Sequence, residues 1–155
     1  MNEKSNLTQE SSQQETLAEN DYFNLGLELY NNKEPYDKVI DTFEKGLAEN
    51  SRDSSFYTCL SWLFLLRNKP NDRKKAIDYA KSALKFDSSN AQAQYNLVLA
   101  YMFTGRKGVR DEFEKAISMS RDQDIESAKT NLRDALDREG NIPEIEKLLK
   151  WIDQA

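Results

Sequence analysis

The residues of this chain whose types could do chemistry are few: one thiol, Cys59, and several carboxylate pairs. An ionised thiol is a nucleophile and a soft metal ligand, and two carboxylates one helical turn apart can share acid and base roles. Asp111 with Glu114 and Asp134 with Asp137 have that spacing. Each pair is flanked by cations, Arg110 and Lys115 or Arg133 and Arg138, which is the pattern of a solvated, salt-bridged helix face. Cys59 lies inside the apolar run Phe56 to Leu66 and has no second cysteine to bond, so it reads as a small packed hydrophobe. The chain has no histidine, no Gly-rich phosphate loop and no ligand cluster at metal spacing. No metal, cofactor or catalytic residue is expected, and the sequence reads as non-enzymatic. Gly105-Arg106-Lys107-Gly108 could hold an anion, but as an isolated basic turn between helices its simpler reading is a turn.

Composition narrows the partners. With 27 acidic against 22 basic residues and a net charge of -5, the surface is acidic and well solvated. Binding a phosphate backbone needs a basic stripe, and none is visible along the sequence, so nucleic acid is not expected. The run Phe56 to Leu66 is shorter than the roughly 18 to 20 residues of a membrane span, so no integral membrane segment is expected. Met1 to Glu15 lacks the apolar stretch of an export signal, so a cytoplasmic location is expected. The same polar composition makes residues 1–16 a disordered tail, with folding expected from Leu17.

The elements that would position any site repeat. Leu25, Leu60, Leu97 and Leu132 recur at intervals of 35 to 37 residues, and such a period belongs to stacked supersecondary modules. Tyr22, Leu25, Gly26 and Leu29 share one helix face, Pro35 ends that helix, and Val39, Ile40, Phe43, Gly46 and Leu47 mark the next. A second pair carries Tyr57, Leu60, Ser61 and Phe64, then Ala76, Ala80, Ala83 and Leu84, where small residues permit close helix approach. A third carries Leu97, Val98 and Tyr101, then Val109, Phe113, Ala116 and Ile117. The fourth is more polar: a helix over 124–139 with Ile125, Ala128, Leu132, Ala135 and Leu136 inward, Gly140 as its stop, and a last helix from Pro143 that buries Ile145, Leu148, Leu149 and Ile152. Its charged outer face suits a cap on a stack.

These residues resemble the tetratricopeptide repeat, whose first helix carries aromatic-x2-Leu-Gly-x2-aromatic and whose second carries small-x3-aromatic-x2-small. Tyr22, Leu25, Gly26 and Leu29 match the first pattern, as do Tyr57, Leu60, Ser61 and Phe64. Val39, Phe43 and Gly46 match the second, followed by Ala76, Ala80 and Ala83 and by Val109, Phe113 and Ala116. The resemblance implies an all-α, right-handed superhelical array: three repeats over 17–120 and a degenerate fourth repeat or capping pair over 121–155. The chain departs from the family in its longer hairpin turns, in Ser51 and Ser88 where the family has proline, and in Val98 where a small residue is usual.

The resemblance also implies a concave groove. Its lining maps to Phe23, Leu27 and Tyr30 in the first repeat, Thr58, Trp62, Leu65 and Leu66 in the second, and Tyr95, Leu99, Met102 and Phe103 in the third. That lining is apolar and aromatic, which favours a protein partner presenting an amphipathic helix or an extended apolar segment. The competing reading is that the chain buries these residues itself, under its fourth unit or its N-terminal tail. Members that clamp the C-terminal carboxylate of chaperones use Lys, Arg and Asn where this chain has Phe23, Leu27, Cys59, Gln92 and Asn96, so that ligand is not expected. The leading functional expectation is a non-catalytic scaffold or adaptor. The alternatives are an assembly factor or chaperone shielding an apolar client segment of a larger, even membrane-bound complex, and a structural subunit whose groove is filled by a fixed neighbour or a second copy in a homodimer.

Overall fold

A computed structural model describes residues 19–155. The expected tail over 1–16, and the expected start at Leu17, lie outside the described residues. The helices run α1 (Glu19–Asn31), α2 (Tyr36–Glu49), α3 (Ser54–Arg67), α4 (Asp72–Phe86), α5 (Ala91–Thr104), α6 (Val109–Met119), α7 (Asp122–Glu139) and α8 (Pro143–Gln154). No strand occurs among the described residues. Two compact units result, Met1–Ser51 and Arg52–Ala155, so the division falls after the first hairpin.

Local chemistry sets most helix ends. Asp53 and Asn90 cap α3 and α5, their side chains accepting from the Ser55 and Ala93 amides at 2.9 and 3.1 Å. Asn68 stops α3 in the left-handed region at φ 53°, a conformation asparagine tolerates well. Gly105 stops α5 at φ 63°, and Pro143 opens α8 at the position where its missing N–H costs nothing.

In the first unit α1 packs on α2 where Gly26 meets Phe43. A Cβ on Gly26 would lie 2.6 Å from the Phe43 ring, so the glycine is what admits that ring, itself only 2% exposed. The repeat anchor Leu25 departs from expectation: it is 37% exposed. Among the described residues no helix precedes α1 to cover that face.

The second unit solves the same contact differently. Ala80 stands in α4 where α2 has Phe43, Ser61 replaces the glycine, and the Ser61 hydroxyl donates to the Ala76 carbonyl at 2.8 Å. Ala76, Ala80 and Ala83 are all fully buried, which is the close approach their size predicts. Ser54 Oγ donates to the Ala83 carbonyl, also at 2.8 Å, at the other end of the hairpin.

A polar seam joins α3 to α5. Asn90 Nδ2 donates to Ser54 Oγ and Thr58 Oγ1, each at 2.8 Å, and Asn96 Nδ2 donates to the Thr58 carbonyl at 3.1 Å. The paired residues rise together along both helices, so α3 and α5 run parallel. The C-terminal pair then covers α5: α7 and α8 both pack on it, and α8 also reaches α6, where Trp151 lies 5.3 Å from the Phe113 ring. Ala128, Leu132, Ala135, Ile145, Leu148 and Ile152 are buried as expected, while Ile125, Leu136 and Leu149 are only half-buried.

Gly26→Ala is expected to destabilise the first unit by about 1–3 kcal/mol, because ring overlap outweighs the gain of roughly 1 kcal/mol from better helix propensity. Adding Phe43→Leu should restore part of the loss in urea unfolding followed by circular dichroism. Equal stability of wild type and Gly26→Ala would show that the contact is slack.

Candidate functional site

The structure divides the eleven expected groove residues into three groups. In α1, Phe23 is half-buried and meets Phe43 edge-on at 5.9 Å, Tyr30 is half-buried and Leu27 exposed. On α3, Thr58 is buried with its hydroxyl donating to the Ser54 carbonyl at 2.9 Å, Trp62 is half-buried, and Leu65 and Leu66 are buried. On α5, Tyr95 and Leu99 are only 2% and 1% exposed, and Met102 and Phe103 are half-buried.

Tyr95 and Leu99 therefore do not line an open, solvated surface in the second unit. The face is covered because α7 and α8 pack against α5. Tyr95 is tied in by its hydroxyl, 2.9 Å from Ser120 Oγ. Since Ser120 donates to the Ala116 carbonyl at 2.6 Å, the tyrosine is the donor. Burial, reinforced by the Asp124 charge, raises the Tyr95 phenol above its ordinary value.

A cleft of about 400 Å³ lies at the C-terminal ends of α3 and α5. Leu65, Leu66 and Phe103 give its apolar part, and Arg67, Asn68 and Arg73 form one polar edge. The α7–α8 turn supplies the other edge with Glu139, Asn141, Ile142, Pro143 and Glu144. Three expected residues thus meet here, and the turn residues were missed. The apolar pair Ile142-Pro143 between two polar helices was the available signal, but nothing in the local sequence says where that turn lands.

The first edge is held rigidly. Arg67 grips Asp72 with both arms, Nε to Oδ2 at 2.9 Å and Nη2 to Oδ1 at 2.8 Å, and the Lys69 amide donates to Oδ2 at 2.8 Å. Arg73 donates to the Phe103 carbonyl at 2.8 Å and to Asn68 Oδ1 at 2.9 Å. The Arg67 hydrogen bonds are the largest influence holding the Asp72 carboxyl below the usual aspartate range; burial opposes them and the Lys69 amide adds to them. A carboxylate only 1% exposed with a forked guanidinium partner is a fixed strut, and its bonds brace the α3–α4 turn.

The other chemical candidates settle into packing or surface roles. Burial, with a smaller contribution from Asp53, pushes the Cys59 thiol up to about 12, so it stays protonated and unreactive at neutral pH. Asp134 is bonded by Arg138 at 2.7 Å, and Asp111, Glu114 and Asp137 are exposed. No group of His, Cys, Asp and Glu suited to a metal ion occurs among the described residues. None of their helices is long and apolar enough to cross a membrane.

No protein-family model matches the sequence, and no curated protein matches it. Solved structures do match. MamA superposes with a TM-score of 0.60 at 20% identity, over 88% of this chain and 77% of that one. The TPR domain of OM64 from Arabidopsis gives 0.54 at 16% identity, over 88% and 95%. The second TPR domain of human RPAP3, solved with an HSP70 peptide, gives 0.50 at 16% identity, over 86% and 93%. The chain thus has the tetratricopeptide-type fold, an all-α array of helical hairpins.

Arg67→Ala leaves Asp72 buried without its partner and should cost about 3 kcal/mol in urea unfolding at neutral pH. Because the folded-state Asp72 pKa is depressed, its stabilisation is present above the unfolded-state value and lost as pH falls through the lower folded value. The gap between wild type and variant should therefore narrow in acid. A gap that is constant with pH would show that Arg67 acts through packing alone.

Proposed function

We propose that this chain is a non-catalytic protein-interaction scaffold that receives a short partner segment in the cleft at the ends of α3 and α5. The observation that carries this reading is the pairing of a small apolar floor, the half-buried Phe103 with the nearly buried Leu65 and Leu66, with more extensive polar edges that carry donors and carboxylates. An apolar anchor on an amphipathic helix or extended segment suits such a floor, while the edges set its orientation. The fold neighbours support an interaction role, since one of them was solved holding a peptide.

A chaperone tail is not the partner we propose. Where chaperone-binding members of the resembled family place cations and amides, Gln92 donates to Asn96 Oδ1 at 3.1 Å and Asn96 is committed to α3. Phe23, Leu27 and Cys59 supply no positive charge for a carboxylate. An assembly factor that shields an apolar client segment uses the same cleft and differs only in the fate of the client once bound. The structural-subunit reading draws on a different observation, the covering of Tyr95 and Leu99 by α7 and α8. In that version a fixed neighbour or a second copy permanently fills what the C-terminal helices leave uncovered.

Peptides selected from a displayed library against the immobilised protein should carry at least one large apolar residue. Their addition should shift NMR resonances of Leu66, Phe103 and Asn141. Phe103→Ser should weaken binding by about tenfold or more, the scale of one lost apolar anchor. Shifts confined to residues outside the cleft, or selection of peptides without apolar residues, would overturn the assignment.

A further inference from the structure

Two hairpin turns of the second unit concentrate its positive charge. Segments 67–75 and 105–111 hold eight Lys and Arg against two Asp, leaving 14 Lys and Arg against 25 Asp and Glu elsewhere in the chain. The fold joins these turns: Arg73 of the first donates to the Phe103 carbonyl at 2.8 Å beside the second, with its guanidinium 5.3 Å over the Phe103 ring. Separated by about thirty residues, the two runs make no stripe in the sequence, yet they lie side by side on the surface.

Six of these eight cations form no ion pair with the described residues. Elsewhere among the described residues, Lys38, Lys45, Lys115, Arg121, Lys129 and Arg138 form ion pairs, and the cations that form none, such as Lys33, Lys81 and Lys150, do not gather on paired turns. On the turns, Arg73, Lys74, Lys75, Arg106, Lys107 and Arg110 form none with the described residues, although the chain has a surplus of carboxylates. Of the two acids on the segments, Asp72 is bound by Arg67 and Asp111 is exposed. Clustered like charges repel one another, and an anion from outside would relieve that repulsion.

The geometry favours carboxylates. Arg106 lies 5.4 Å over Tyr101 and Arg110 lies 4.6 Å over Trp151, as Arg73 lies over Phe103. A stacked guanidinium is pre-oriented and keeps N–H groups on its edge for a forked carboxylate. Aromatic faces covered in this way are poor platforms for nucleic-acid bases. Glu139 and Glu144, brought to the cleft edge by the α7–α8 turn, interrupt any continuous phosphate track. The large apolar side chains exposed on the described residues are Leu25, Leu27 and Phe86, and none belongs to these turns, so nothing here is built to insert into a bilayer.

We propose that these paired turns dock an acidic segment of a partner protein, a flexible run of Asp and Glu side chains laid across both. Individual carboxylates on such a run bond to separate cations and steer clear of Glu139 and Glu144. The docking needs no anchor in the cleft, so it stands or falls apart from the function proposed above.

The test is fluorescence anisotropy with the full chain and a labelled decaglutamate peptide, with phosphatidylserine vesicles and a DNA duplex as parallel arms. Saturable peptide binding that weakens steeply with salt is expected. Lys74→Glu with Lys107→Glu, both exposed and outside the cleft lining, should weaken it by about tenfold, while Lys45→Glu in the first unit leaves it unchanged. Should the double reversal unfold the protein, Lys74→Gln with Lys107→Gln is expected to give a smaller loss in the same direction. Equal binding by folded variants overturns the proposal, as does absence of peptide binding or binding of vesicles or duplex in its place.

Discussion

The second unit depends on a buried amide. Asn96, 1% exposed, gives its Nδ2 hydrogen to the Thr58 carbonyl, and six residues earlier Asn90 gives its own to Ser54 and Thr58. A buried amide left without its acceptor costs about 1–3 kcal/mol, so α5 has one low-energy register on α3. Aliphatic contacts alone would tolerate a slip. Seven residues beyond Thr58 and Asn96 stand Leu65 and Phe103, two helical turns or about 10.5 Å along each parallel axis. The register fixed at the seam is therefore what brings those two side chains to the same cleft.

That dependence links packing to the site without any single residue serving both. Small residues on α4 let it lie close to α3, with Ser61 using the room to reach the Ala76 carbonyl. The Arg67–Asp72 pair and the Arg73 bonds then brace the turn beyond α3. At the far side, α7 and α8 close the α5 face around Tyr95 and Leu99 and leave their connecting turn over the ends of α3 and α5. Much of the apolar stripe is buried inside the fold, at Leu65, Leu66, Tyr95 and Leu99, while Trp62, Met102 and Phe103 stay half-buried.

The hairpins were legible because their signals are local. Periodicity, Pro35, Asn68, Gly105 and Pro143 each act within a few residues of where they stand, and the helix limits lie close to them. The site was legible in part. Leu65, Leu66 and Phe103 lie on helix faces that the repeat pattern identifies, but the burial of Tyr95 and Leu99 depends on helices 20 to 50 residues downstream. Arg73 and Lys107 looked like parts of separate turns because charge in a sequence is read one run at a time, whereas stacking adds runs a repeat apart.

The proposed function requires the cleft at Phe103 to admit another molecule, whereas Tyr95 on α5 is buried within the fold. Site-specific photocrosslinking in cells separates the two directly, with a benzoylphenylalanine placed at position 103 or at position 95 of otherwise identical chains. The structure predicts an intermolecular adduct from position 103 and none from position 95. An intermolecular adduct from position 95 with none from position 103 would contradict it, and would mean that the C-terminal helices leave α5 to admit the partner.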